Sequence, residues 1–132
     1  MTEPTDVPSK GRVLIVDDEP NIVTSREFVM RRNGFETAVA RDGEEALAEV
    51  ERFRPDVLLL DAMMPRRDGY EVCQTLRSSG WNDLKIVMLT AKGRETEVAR
   101  GLAVGADSYV VKPFSTRELV AHVNELLAED DG

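Results

Sequence analysis

Three short stretches of the chain are apolar at nearly every position: residues 12–17 (RVLIVD), 56–61 (DVLLLD) and 85–90 (KIVMLT). Continuous rather than alternating apolar character suits strands covered on both faces, as in parallel sheets. Two weaker stretches, 36–40 and 108–111, bring the strand candidates to five. Between them, apolar residues return at helical spacing. Leu119, Val120, Val123, Leu126 and Leu127 form one stripe; Ile22, Arg26, Val29 and Met30 form another, which Arg26 interrupts.

Polar residues mark where these helices start and stop. Ser115-x-x-Glu118 reads as a capping box, and Asp42-x-x-Glu45 and Asp68-x-x-Glu71 as acidic analogues of it. Pro20 suits a first helical turn. Gly34 and Gly105 fall where a left-handed residue would end the first and fourth helices. Strand and helix therefore alternate five times. The expected fold is α/β: a five-stranded parallel sheet, doubly wound as (βα)5 in the flavodoxin-like manner, with helices on both faces. Residues 11–128 form the expected domain, 1–10 a flexible tail and 129–132 a short acidic tail.

Composition narrows the classes. At 132 residues the chain is long enough for one buried core. No apolar run approaches a membrane span, and the polar, proline-containing start does not read as a signal peptide, so the expected address is the cytoplasm. A lone Cys73 permits no internal disulfide. The net charge of −8 argues against sequence-independent binding to nucleic acid.

In open α/β sheets the ligand site lies beyond the carboxyl ends of the strands. After the first strand come Asp17 and Asp18, at the end of the third Asp61, of the fourth Thr90, and of the fifth Lys112-Pro113. Three carboxylates gathered at one edge repel one another and are costly to bury. A divalent cation and an ammonium resolve that conflict. Mg²⁺ takes oxygen ligands and keeps several waters, so one or two carboxylates suffice, and Mn²⁺ is an alternative. Lys112 supplies the ammonium and Thr90 a hydroxyl donor. A carboxylate nucleophile, a metal cradle, a donor and a cation are the parts that phosphoryl transfer uses.

The segments VLIVDDEP (13–20), LLLDAMMPRRDG (58–69), VMLTAK (87–92) and GADSYVVKPF (105–114), in that order and spacing, resemble the receiver domains of two-component response regulators. The resemblance implies that Asp61 is the phosphoacceptor. It implies that Asp18, Asp61 and the backbone carbonyl of Met63 ligate Mg²⁺, with Asp17 acting mainly through a bound water. Thr90 and Lys112 would hold the phosphoryl oxygens, Pro113 would follow a cis peptide bond, and Tyr109 would swing inward when Thr90 moves. The implied donor is a sensor histidine kinase or phosphotransfer protein, and the implied output is a downstream protein target docking on the fourth helix, fifth strand and fifth helix. Such a chain is a phosphoacceptor that assists its own phosphorylation and dephosphorylation, not an enzyme with a separate substrate.

Two other readings share parts of this pattern. A phosphatase using Asp61 as nucleophile would want a second Asp at position 63, where Met stands. A flavin carrier would want a hydroxyl- and glycine-rich loop after the first strand, where Asp-Asp-Glu-Pro stands. The output also has two versions: a stand-alone receiver, or the receiver piece of a longer transcriptional regulator. Glu118, Asp107 and Arg117 match the ion-pair positions of a dimer face in that subclass, whereas Val98, Ser108 and His122 do not. The expectation is a monomer or a weak, phosphorylation-dependent dimer with no direct nucleic-acid contact. Asp68-Gly69 reads as a cap and turn, Cys73 as packing, and His122 as a surface residue.

Overall fold

The computed structural model describes residues 10–62, 68–91 and 95–131, with the side chains of 95–98 and 129–131 outside that description. Strands β1 (Arg12–Val16), β2 (Glu36–Ala40), β3 (Val57–Asp61), β4 (Lys85–Ala91) and β5 (Ser108–Lys112) alternate with helices α1 (Pro20–Arg32), α2 (Gly43–Phe53), α3 (Gly69–Ser78), α4 (Glu95–Ala103) and α5 (Thr116–Asp131). All pairings are parallel, in the order β2-β1-β3-β4-β5. The doubly wound arrangement read from the pattern is the one observed. Helix α5 runs through Asp131, past the boundary at 128 drawn from the sequence.

The continuous apolar runs have the cause inferred for them, because alternate residues of one strand enter two different cores. Leu14, Val16, Leu58, Leu60, Ile86 and Met88 pack on one face with Ala46 and Val50 of α2 and Val72, Cys73 and Leu76 of α3. Val13, Ile15, Val57, Leu59, Val87 and Leu89 pack on the other with Met30 of α1 and Leu119, Val120, Val123 and Leu126 of α5. All five positions of β3 are buried. Each such aliphatic side chain contributes about 2 kcal/mol on leaving water, which makes the central strands the rigid mount for whatever stands at their ends.

The helix punctuation has its expected geometry. Asp42 and Asp68 cap α2 and α3 by accepting from Glu45 N and Glu71 N, both at 2.9 Å. Ser115 and Glu118 form the reciprocal box: Glu118 N donates to Ser115 Oγ at 3.0 Å and Ser115 N to Glu118 Oε1 at 3.4 Å. The Glu45 carboxylate departs from a true box, since it accepts from Arg41 N, one residue before the cap.

One expectation about α1 is corrected. Arg26 does not break the buried face of this helix but belongs to it: the buried residues are Val23, Arg26 and Met30, and Ile22 and Val29 lie at its margins. A buried arginine needs a partner to offset desolvation. Asp17 is that partner.

Candidate functional site

Strand register brings the polar residues to one rim. Val16 is level with Leu60, so Asp17 and Asp61 stand at matching steps on adjacent strands. Asp17 and Asp61 are buried, at 1% and 6% exposure, because each directly follows an apolar strand interior; Asp18, one residue further, is exposed. The three carboxylates offer oxygens that all lie within 4.8 Å of one another. Lys112, at the end of β5, donates to Asp61 Oδ2 at 3.0 Å. Asp17 accepts from Glu19 N through Oδ1 and from Arg26 Nη1 through Oδ2, both at 2.9 Å.

Face and register separate the remaining residues. Asp61 follows Val57 and Leu59 in pointing toward the α1–α5 side, as Lys112 follows Val110. Thr90, 4% exposed, shares the opposite face with Met88. Tyr109 is level with Met88, and Val111 with Thr90, so Tyr109 and Thr90 lie on the same face of adjacent strands. Tyr109 itself is 43% exposed, on the edge strand. The Lys112–Pro113 peptide bond is cis. Met63 lies outside the described residues.

The donor set fits a hard dication. Carboxylate oxygens are what Mg²⁺ and Mn²⁺ take, and an exposed Asp18 beside buried Asp17 and Asp61 leaves one side open to the waters that Mg²⁺ retains. Among the described residues, this is the one group of three acidic, histidine or cysteine side chains close enough together for such an ion.

The structure adds residues that sequence reasoning passed over. Gly69 opens α3 directly against the backbone after Asp61: its N–H donates to Ala62 O at 3.1 Å, and a Cβ there would stand 2.6 Å from Asp61 O. Arg26 was visible only as a flaw in an apolar stripe. Its guanidinium carbon also lies 5.3 Å from the centre of the Phe114 ring, which follows Lys112-Pro113. The other residues set aside from the site sit elsewhere. Cys73 is buried between α3 and α4 with Sγ 3.6 Å from Val104 O, and burial pushes its thiol pKa up, opposite to what a reactive thiolate needs. His122 is half-buried rather than fully on the surface, and its Nε2 is hydrogen-bonded with Ser108 Oγ. Asp107 is engaged inside the chain by Arg77 and Ile86 N.

This sheet, with its acidic rim and its lysine, defines a receiver. The chain belongs to the response regulator receiver domain family, whose model matches residues 13–124. It is 46% identical over 122 residues to the DNA-binding response regulator MtrA of Mycolicibacterium smegmatis, covering 92% of this chain and 53% of that protein. It is 44% identical over 120 residues to the alkaline phosphatase synthesis transcriptional regulatory protein PhoP of Bacillus subtilis, covering 91% of this chain and 50% of that one. The chain thus spans about half the length of these curated relatives. Among solved structures, the receiver domain of Francisella response regulator 1452 superposes with a TM-score of 0.85 at 35% identity, covering 92% of this chain and 99% of that one.

Proposed function

We propose that this receiver accepts a phosphoryl group on Asp61 and so switches a protein-binding surface. The observation that carries the reading is the meeting of Asp17, Asp18 and Asp61 at one rim, with the Lys112 ammonium 3.0 Å from Asp61 Oδ2.

The donor is a phosphohistidine of a sensor histidine kinase or phosphotransfer protein. An Asp61 oxygen forms the new bond to phosphorus while the phosphorus–nitrogen bond breaks, and the imidazole leaves with the bonding pair. Lys112 is already paired with Asp61, so it faces the developing charge without having to move in from solvent. Asp18 and Asp61 would hold Mg²⁺ (or Mn²⁺) directly and Asp17 would act through water, and the bound ion would supply positive charge that offsets the repulsion between carboxylate and phosphoryl group. The acyl phosphate adds close to two negative charges and three acceptor oxygens. Thr90 turns its hydroxyl toward them, and the space it leaves lies on the face it shares with Tyr109. Inward rotation of Tyr109 then reshapes the α4–β5–α5 surface for a downstream protein, a population shift driven by the difference in phosphate contacts between two states.

On this reading the chain is not an enzyme with a separate substrate, works in the cytoplasm and touches neither nucleic acid nor membrane itself. Among the described residues no helix is long and apolar enough to cross a membrane. The chain is a monomer or a weak, phosphorylation-dependent dimer; the internal use of Asp107 leaves that carboxylate less available to a second copy.

The test is labelling with acetyl phosphate and Mg²⁺, read by intact mass. The wild type gains one acid-labile phosphate and Asp61→Asn gains none. Equal labelling of that variant would refute Asp61 as the acceptor, and steady release of inorganic phosphate from unrelated phosphate esters would favour the phosphatase reading.

A further inference from the structure

The carboxylate cluster contains a cation that the phosphoryl-transfer scheme does not use. Arg26 projects from α1, is 6% exposed, and donates from Nη1 to Asp17 Oδ2 at 2.9 Å. The ring of Phe114 lies against its guanidinium, 5.3 Å from ring centre to guanidinium carbon. Its guanidinium places a positive charge inside the acidic rim. It is also held in place, by a carboxylate on one side and an aromatic face on the other.

We propose that Arg26 is a resident cation of the cluster, a positioning residue that holds Asp17 in its paired state and sets how strongly the rim attracts a dication. The inference rests on the receiver reading, in that the dication is Mg²⁺ held by Asp18 and Asp61. Lys112 offsets Asp61 and Arg26 offsets Asp17 within this crowded group. Without Arg26 the rim is more negative by one charge. Asp17 has one oxygen on Glu19 N and the other on Arg26, so both of its oxygens already have protein donors. That occupancy gives a reason for Asp17 to reach a metal only through water, leaving direct ligation to its two neighbours. Arg26 thus stabilises the metal-free rim and weakens its pull on Mg²⁺. A receiver built this way tolerates low Mg²⁺ without its acidic rim flying apart, at the expense of affinity.

The experiment is calorimetric titration of Mg²⁺ into the purified chain, with thermal melting in chelator alongside. Arg26→Met keeps the length and apolar stem of the side chain and removes its charge. We expect it to bind Mg²⁺ about three- to tenfold more tightly than wild type, as removal of one nearby unit charge implies, and to melt at a lower temperature in chelator. Arg26→Lys restores the charge and returns the affinity close to the wild-type value. A purely structural arginine would lower the melting temperature in Arg26→Met and leave Mg²⁺ affinity unchanged, which overturns the proposal. Weaker binding in Arg26→Met, or Arg26→Lys behaving like Arg26→Met, overturns it as well. If Arg26→Met does not fold, Arg26→Gln, which keeps a donor beside Asp17, carries the same expectations. Absence of Mg²⁺ binding by the wild type would remove the metal site itself, and is thereby distinct from failure of the Arg26 role alone.

Discussion

The two rims of the sheet both carry aspartates next to cations, yet they are built on opposite principles. At the amino rim, Asp56 Oδ2 accepts from Arg12 N at 2.8 Å, and Asp107 Oδ2 accepts from Ile86 N at 2.7 Å and from Arg77 Nη2 at 2.8 Å. Asp107 N returns the favour to Ile86 O at 2.9 Å, so this residue extends the ladder of β4. Each of these carboxylates stands apart from the other and finishes a backbone edge. At the carboxyl rim, Asp17, Asp18 and Asp61 crowd within 4.8 Å, an arrangement that raises the energy of the metal-free fold. The difference teaches how to tell a structural acid from a functional one. Structural acids are spaced out along strand and helix edges, whereas the acids of the candidate site are gathered against their own repulsion, even where, as at Asp17, one oxygen also meets a backbone N–H.

The largest effect that separates the rims is expected from two glycines. A Cβ at Gly69 would meet backbone, 2.6 Å from Asp61 O and 3.0 Å from Ala62 Cα, and backbone beneath a buried strand end cannot yield. Gly69→Ala should cost about 3 kcal/mol and lower acetyl-phosphate labelling together with stability, because the shift falls on Asp61. Gly105, at the amino rim, has φ +112, and a Cβ there would stand 2.6 Å from Cγ of Arg77, a side chain whose guanidinium is tied to Gly105 O and Asp107. Gly105→Ala should cost about 1–2 kcal/mol through backbone strain and displacement of Arg77, with labelling unchanged. Urea melts and intact mass on both variants check this pair. Equal loss of labelling in both would show that the rims are not separable.

A smaller effect, but one of opposite sign at the two rims, is expected from removing one charge. Asp18→Asn takes a carboxylate out of the crowded cluster and should raise the melting temperature in chelator by about 3 °C, while abolishing the further rise caused by Mg²⁺. Asp107→Asn weakens a bond from Ile86 N and the pair with Arg77, and should lower stability by about 1–2 kcal/mol with the Mg²⁺ response intact. Two destabilised variants would break the distinction between crowded and isolated acids.

Most of the fold was legible because β-strand and helix periods differ and the punctuation is chemically explicit. Val57 to Asp61 read as a strand covered on both faces, and Asp42, Asp68 and Ser115 stand immediately before their helices, each with a Glu three residues later. The site was legible as far as strand ends are, since Asp17, Asp61 and Lys112 each terminate or follow an apolar run. What escaped lies across the chain rather than along it. Arg26 looked like an interruption because a helical stripe carries no information about an acid nine residues earlier on another element. Gly69 read as a turn residue, since nothing in its neighbours states that β3 passes beneath it. At the other end of α2, Arg54 adopts φ 53 without being glycine, and the helix pattern gave no warning of that left-handed cap.

The carboxyl rim also holds an acid that is not part of the cluster, and it offers the sharpest small test. Asp68 lies between β3 and α3, at the same end of the sheet as the cluster, but its Oδ1 accepts from Glu71 N at 2.9 Å and caps the helix. By the distinction drawn from the two rims it is structural despite its address. Asp68→Ala should cost about 1 kcal/mol, the usual worth of an acidic N-cap. Asp68→Ser, which can still cap, should recover most of that loss. Mg²⁺ affinity and the extent of acetyl-phosphate labelling should match wild type in both variants. If Asp68→Ala instead weakened Mg²⁺ binding while Asp68→Ser failed to restore it, the charge rather than the cap would be what the fold keeps there. Proximity to the strand ends, and not the pattern of partners, would then be the better guide to which aspartates serve the site.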